Sequence, residues 1–386
     1  MPSPFNDLPR QRILSVDAFR GLTFLVMLFV NFLAGASGIP AGIHHVAADA
    51  DGMGLADVVF PAFMFAVGMS IPFGLNSRYL RGDSNSQVLL HVLYRALALV
   101  VMGVFMVNAE AGYNERAMGL RIDAWALAFY AAVLLVWGVY RAAPQLERVL
   151  RGAGVALLLV LAWLYRAGPD GATGMTPQWW GILGLIGWAY LLAAVVVLLA
   201  RGRTALLYGA IGLCVLAYAA AAASGVGMAW AVHATHASIV LAGALCALLF
   251  FEGGRARFAA AAWFGAALAL GAGLLHLAYP VSKIGATPPW ALYTAAMCCT
   301  LFALLYWLVE VRQARAWTAV VEPAASNPLI TYLLPFVLGA CMNLAGIGWP
   351  ALLTHGAGAI AFATVFSFAV VLLVAQLNQY NVKLKI

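Results

Sequence analysis

Long apolar runs separated by short polar clusters set the pattern of this chain. A helix needs about 20 predominantly apolar residues to cross a bilayer. Twelve runs suit that length: 17–36, 55–75, 88–109, 123–140, 152–167, 181–200, 204–224, 236–251, 258–279, 290–309, 326–345 and 350–376, the fifth being short. The polar stretches between them are of loop length, so residues 1–386 read as a single transmembrane domain: an all-α polytopic bundle of about twelve helices. The first run is too long for the apolar part of a signal peptide and carries Asn31, which predicts an uncleaved first span.

Cations fall on alternate connections. One set holds Arg10, Arg12, Arg20, Arg78, Arg81, Arg141, Arg148, Arg151, Arg201, Arg203, Arg255, Arg257, Arg312, Arg315, Lys383 and Lys385; the other holds only Arg116, Arg121, Arg166 and Lys283. Cytoplasmic loops are enriched in Lys and Arg, so both termini are expected in the cytoplasm. The connection between the first two spans, GIHHVAADADGMG, then faces the opposite side together with His233, His236, His276 and Lys283.

Composition agrees: 65% of the residues are hydrophobic and 9% charged, whereas a soluble domain has about 25% charged residues. The net charge of +7 follows membrane topology, which removes nucleic acid as a partner. Cys214, Cys246, Cys298, Cys299 and Cys341 all lie in apolar runs without metal-ligand spacing, and read as packing residues. There is no Walker sequence, dinucleotide-binding glycine motif, zinc pattern or serine nucleophile elbow. Chemistry must come from imidazole, carboxylate and amide groups.

Polar groups inside a membrane bundle are expensive, and are functional candidates for that reason. Asn31 lies in the first span, His44 and His45 follow it, and Asp57 opens the second span, where it could equally cap the helix. Asp17 and Arg20 are three apart on one helical face and close enough to pair, or Arg20 could meet a phosphate. Arg95 could pair with an acid, line a pathway or snorkel toward the inner face, and its position one turn into the span favours snorkelling. Asn327-Pro328 opens the eleventh span. Trp179 and Trp180 read as aromatic belt, and the Gly and Ala content of spans seven to nine as close helix packing. In HLAYPVSKIGATPPWALY, Pro280, Pro288 and Pro289 flank Lys283 and Trp290; a rigid loop of this kind suits a sugar or acyl ligand, or an interfacial anchor.

SVDAFRG at 15–21, FVN at 29–31, the outer histidine and DVVFPAFMFAVGMSIP at 57–72 resemble the heparan-α-glucosaminide N-acetyltransferase family, with bacterial NagX-type members nearest. Weaker likeness continues in HATHASIVLAG at 233–243, in PVSKIGATPPWALYTA at 280–295 and at the Asn-Pro pair; the specific block is 15–75. The resemblance implies a homodimeric enzyme of the bacterial inner membrane. It would move acetyl from cytoplasmic acetyl-CoA to the amino group of a glucosamine-type sugar on the other side, without a metal. His45, seven residues before Gly52, matches the histidine of acetyl transfer, Asn31 the asparagine that assists it, and Asp57 the acid before VFP. Arg20 matches the arginine of FRG; Arg20 and Asp17 are then expected near the coenzyme A phosphates, with the pantetheine arm threading the bundle toward His45.

The human-type branch has a tryptophan shortly after its histidine, where this chain has VAADAD; His44, Asp49, Asp51, Lys283 and Trp290 are therefore expected to contact the acceptor, with Asp49 or Asp51 pairing a sugar ammonium. The spans near 181–224 are additional to the human-type core. A secondary transporter of amino sugars is the alternative, since twelve spans with intramembrane polar groups suit one as well.

Overall fold

A computed structural model describes residue 5, residues 8 and 9, and residues 11–386; Arg10, counted above among the inner cations, lies outside the described residues. The helices in chain order are α1 (Leu14–Leu33), α2 (Leu55–Leu80), α3 (Asn85–Glu110), the single turn α4 (Glu115–Met118), α5 (Ile122–Trp137), α6 (Pro144–Leu164), α7 (Gly181–Ala200), α8 (Thr204–Ser224), α9 (Met228–Phe250), α10 (Phe258–His276), α11 (Pro288–Tyr306), α12 (Thr318–Ser326), α13 (Pro328–Leu344) and α14 (Gly356–Gln379). No strand forms among the described residues, where isolated bridges such as Ser37–His355 are the only extended pairing. The chain is an all-helical, polytopic membrane protein.

Each of the twelve apolar runs falls on a helix. Among the described residues nine helices are long and apolar enough to cross a bilayer; α12 and α13 form a further candidate, bent by 85° at Asn327. Helix α5 is shorter, and α6 carries Glu147, Arg148 and Arg151 in its first turns. Pro328 stands at the first position of α13, where its missing N–H leaves no helical bond unmade. The bend is held by the Asn327 side-chain amide, which donates to Asn378 Oδ1 at 3.0 Å and to the Val382 carbonyl at 2.9 Å.

Here "outer" denotes the end of the bundle that carries the connection from α1 to α2. Helix α9 is the most enclosed span, with 78% of its apolar window buried, against 22% for α8 at the periphery. Helices α2 and α9 touch backbone to backbone: a Cβ on Gly68 would strike the Val240 carbonyl, and one on Gly243 the Phe65 carbonyl. Small residues permit this approach where no apolar effect drives helices together within lipid. Gly209 and Gly212 of α8 meet nothing, so the small-residue content of that span does not close a contact. Helix α7, one of the additional pair, packs on α3 and α9 and walls the cavity described next.

Candidate active site

The connection from α1 to α2 turns through a 3-10 turn at Ala41–Ile43 and folds back so that the His44 carbonyl rests on Gly54, where any Cβ would collide. That return places Asp57, at the third position of α2, under the connection. Asp57 is 1% exposed. Its Oδ2 accepts the N–H groups of Gly54 at 2.9 Å and Val46 at 3.0 Å, and its Oδ1 lies 2.6 Å from Nδ1 of His45. The cap reading and the site reading of this acid therefore describe the same carboxylate. Its backbone is used as well. Four residues on stands Pro61, which has no N–H to give to the Asp57 carbonyl. The indole Nε1 of Trp290 donates to that carbonyl instead, at 3.0 Å.

Asp57 at Nδ1 selects the tautomer with the proton on that nitrogen, leaving a lone pair on Nε2. Nζ of Lys283 lies 3.2 Å from Nε2 and 3.4 Å from Nδ1. Lys283 belongs to the connection from α10 to α11, and burial there pushes its ammonium below the usual lysine range, opposed by the Asp57 charge. Asp51 fastens the two connections: its carboxylate is 2.8 Å from Nε2 of His276 and accepts the Val281 N–H at 2.8 Å, while the Gly52 N–H donates to the Val281 carbonyl at 2.9 Å. Those bonds, His276 first, hold the Asp51 carboxyl below the usual carboxylate range.

A cavity of about 570 Å³ runs down from this point. His45, Lys283, Asn31, Glu110 and Trp179 line its outer part; Phe24, Val67, Leu183 and Tyr332 line its apolar middle; Arg95, Leu384 and Lys385 lie at its inner part. The Asn31 amide makes no hydrogen bond among the described residues, so its N–H groups remain available to whatever enters. Arg95 lines the wall, one of the roles its position in the sequence left open, with its guanidinium 5.0 Å from the Tyr190 ring centre. A second cavity, of about 600 Å³, opens at the inner end between α1 and α2 and is lined by Arg12, Asp17, Arg20, Ser70, Asn76 and Arg81. Arg20 sits 3.6 Å from Asp17 and donates to the Ser70 hydroxyl at 2.8 Å. The two cavities meet α1 and α2 on successive turns: Arg20 and Ser70 line one, Phe24 and Val67 the other.

His45, Asp57, Lys283 and Asn31 are thus brought to one mouth. Trp290 is fully buried beneath it and supports Asp57 from behind. Asp51 serves as the tether, and neither His44 nor the exposed Asp49 lines the cavity. Glu110 and Trp179 escaped the sequence reading. Trp179 looked like any interfacial tryptophan, and Glu110 carried one available signal, an acid at the C-terminal end of a span.

An imidazole with a carboxylate at one ring nitrogen and a lone pair on the other has the arrangement that general-base chemistry uses. Residues 12–236, more than half of the chain, match the family described as "Domain of unknown function (DUF5009)". The chain belongs to that family. Over 97 residues it is also 35% identical to heparan-alpha-glucosaminide N-acetyltransferase of Homo sapiens, and equally to that of Mus musculus. Those matches cover 25% of this chain and 14% of each relative.

Proposed function

We propose that this protein is a transmembrane N-acetyltransferase of the bacterial NagX type, taking acetyl from cytoplasmic acetyl-CoA and giving it to the amino group of a glucosamine-type sugar at the periplasmic face. The fold crosses the inner membrane twelve times with both termini inside, and works as a homodimer. The observation that carries this reading is the His45–Asp57 pair opening onto a cavity that continues past Asn31 to cations at the inner end.

In this account coenzyme A keeps its phosphates at the inner end, where Arg20 and its neighbours supply charge-assisted donors. The pantetheine arm lies in the apolar middle of the central cavity. His45 Nε2 takes a proton from the acceptor amine, whose lone pair attacks the acetyl carbonyl carbon. A C–N bond forms, and the Asn31 amide donates to the oxyanion. As the oxyanion collapses the C–S bond breaks, and the departing sulfur takes the proton from the imidazolium, leaving coenzyme A and the amide. Asp57 keeps the imidazole aligned and stabilises its charged form. Attack by His45 on the acetyl group, giving an acetyl-imidazole that the amine then opens, uses the same atoms.

Purified protein in detergent, given labelled acetyl-CoA and glucosamine, tests this. Wild type should form N-acetylglucosamine. Asn31→Ala should lose about 10²–10³ in kcat, as removal of one oxyanion donor does, and His45→Ala about 10²–10⁴, as loss of a general base does. Full activity in both variants refutes the mechanism.

A further inference from the structure

Glu110 is the last residue of α3, and it lines the mouth of the central cavity with Trp179, Lys283 and His45. The C-terminal end of a helix carries partial negative charge, so a carboxylate there is electrostatically disfavoured. No ion pair or side-chain hydrogen bond compensates for it among the described residues. The nearby acids are committed: Asp57 to His45 and two backbone N–H groups, Asp51 to His276 and Val281. Asp49 does not line the cavity. Among the described residues Glu110 is therefore the acid at this mouth without a protein partner, and it remains exposed. Trp179, 46% exposed, lines the same cavity and offers an aromatic surface, which favours both a cation and the apolar face of a ring.

We infer that Glu110 and Trp179 form the acceptor subsite: Glu110 binds the ammonium group of a protonated primary amine, and Trp179 covers the adjoining sugar ring. This rests on the acetyltransferase reading of the same cavity and deepens it by assigning amine recognition to α3 and the connection before α7. Lys283 now lies against the His45 ring, its Nζ 3.2 Å from Nε2 and 3.4 Å from Nδ1. An acceptor held by Glu110 brings its nitrogen to Nε2 and displaces the lysine ammonium from the ring. The ammonium of the acceptor releases one proton to solvent, and the neutral amine then presents to Nε2 the proton that His45 removes as the C–N bond forms.

Binding and turnover separate this inference from the function on which it rests. Purified wild type, Glu110→Gln and Trp179→Ala are titrated with glucosamine and with glucose, which has a hydroxyl where the amine stands; acceptor and donor KM values are then measured by acetyl transfer. Wild type should prefer glucosamine by about tenfold or more, the range expected of a hydrogen-bonded charge. Glu110→Gln should lose that preference and raise the acceptor KM to a similar degree with the acetyl-CoA KM unchanged; Trp179→Ala should weaken both sugars. The Glu110 side chain makes no hydrogen bond or ion pair among the described residues, so Glu110→Gln should melt as wild type does. A Glu110→Gln protein that keeps its preference for the amine overturns the inference, as does a wild type with no preference. Glu110-dependent amine binding without any acetyl transfer upholds the subsite and removes the acetyltransferase reading instead.

Discussion

Asp57 is nearly inaccessible, yet every acceptor it offers toward the connection is matched. One oxygen takes two backbone N–H groups, the other faces the His45 imidazole, and the backbone carbonyl released by Pro61 takes the Trp290 indole. A buried carboxylate is tolerated when its hydrogen bonds are complete. The same bonds fix the imidazole orientation on which the proposed base catalysis depends. Asp51 is different, being exposed and bonded to one histidine and one N–H. Its carboxyl is held below the usual range, so its contribution is fully present above the unfolded pKa and is lost as pH falls through the folded one. Asp51→Asn should therefore melt below wild type near neutral pH, and the two melting temperatures should converge in acid. A gap that stays constant across that range refutes the tether.

At the scale of elements, the contact between α2 and α9 holds the start of α2, and with it Asp57, against the enclosed core. Gly68 faces the Val240 carbonyl with no room for a methyl group. Gly68→Ala should destabilise the fold by roughly 1–3 kcal/mol, the usual range for overpacking, read from thermal or denaturant unfolding in detergent; an unchanged melting curve contradicts that packing. Helices were legible in the sequence because apolar runs of bilayer length carry a strong signal. Their starts were less so. Helix α9 begins at Met228, eight residues before the predicted 236, because His233 read as part of the connection yet is buried within the helix. Helix α6 begins at Pro144, before the predicted 152, because Glu147, Arg148 and Arg151 read as connection. Gly and Ala in α8 suggested close contacts that Gly209 and Gly212 do not make; composition counts small residues but not the face they occupy.

For the molecule as a whole, the site joins segments far apart in sequence. The motif resemblance made His45 and Asp57 legible as separate candidates, but their bond across twelve residues of sequence follows no local pattern. The Asp51–His276 and Trp290–Asp57 bonds bridge more than two hundred residues and leave no local pattern. Glu110 and Trp179 reach the mouth only because α3 and α7 pack together there. That convergence is what the proposed reaction requires: a donor fed from one end, an acceptor from the other, and His45 where they meet. The most direct test seals labelled acetyl-CoA inside proteoliposomes and supplies glucosamine outside, with wild type beside His45→Ala. Labelled N-acetylglucosamine appearing outside with wild type, and lost with His45→Ala, is the predicted result. Glucosamine accumulating unacetylated in the lumen, with no labelled product, would contradict the account and identify a transporter.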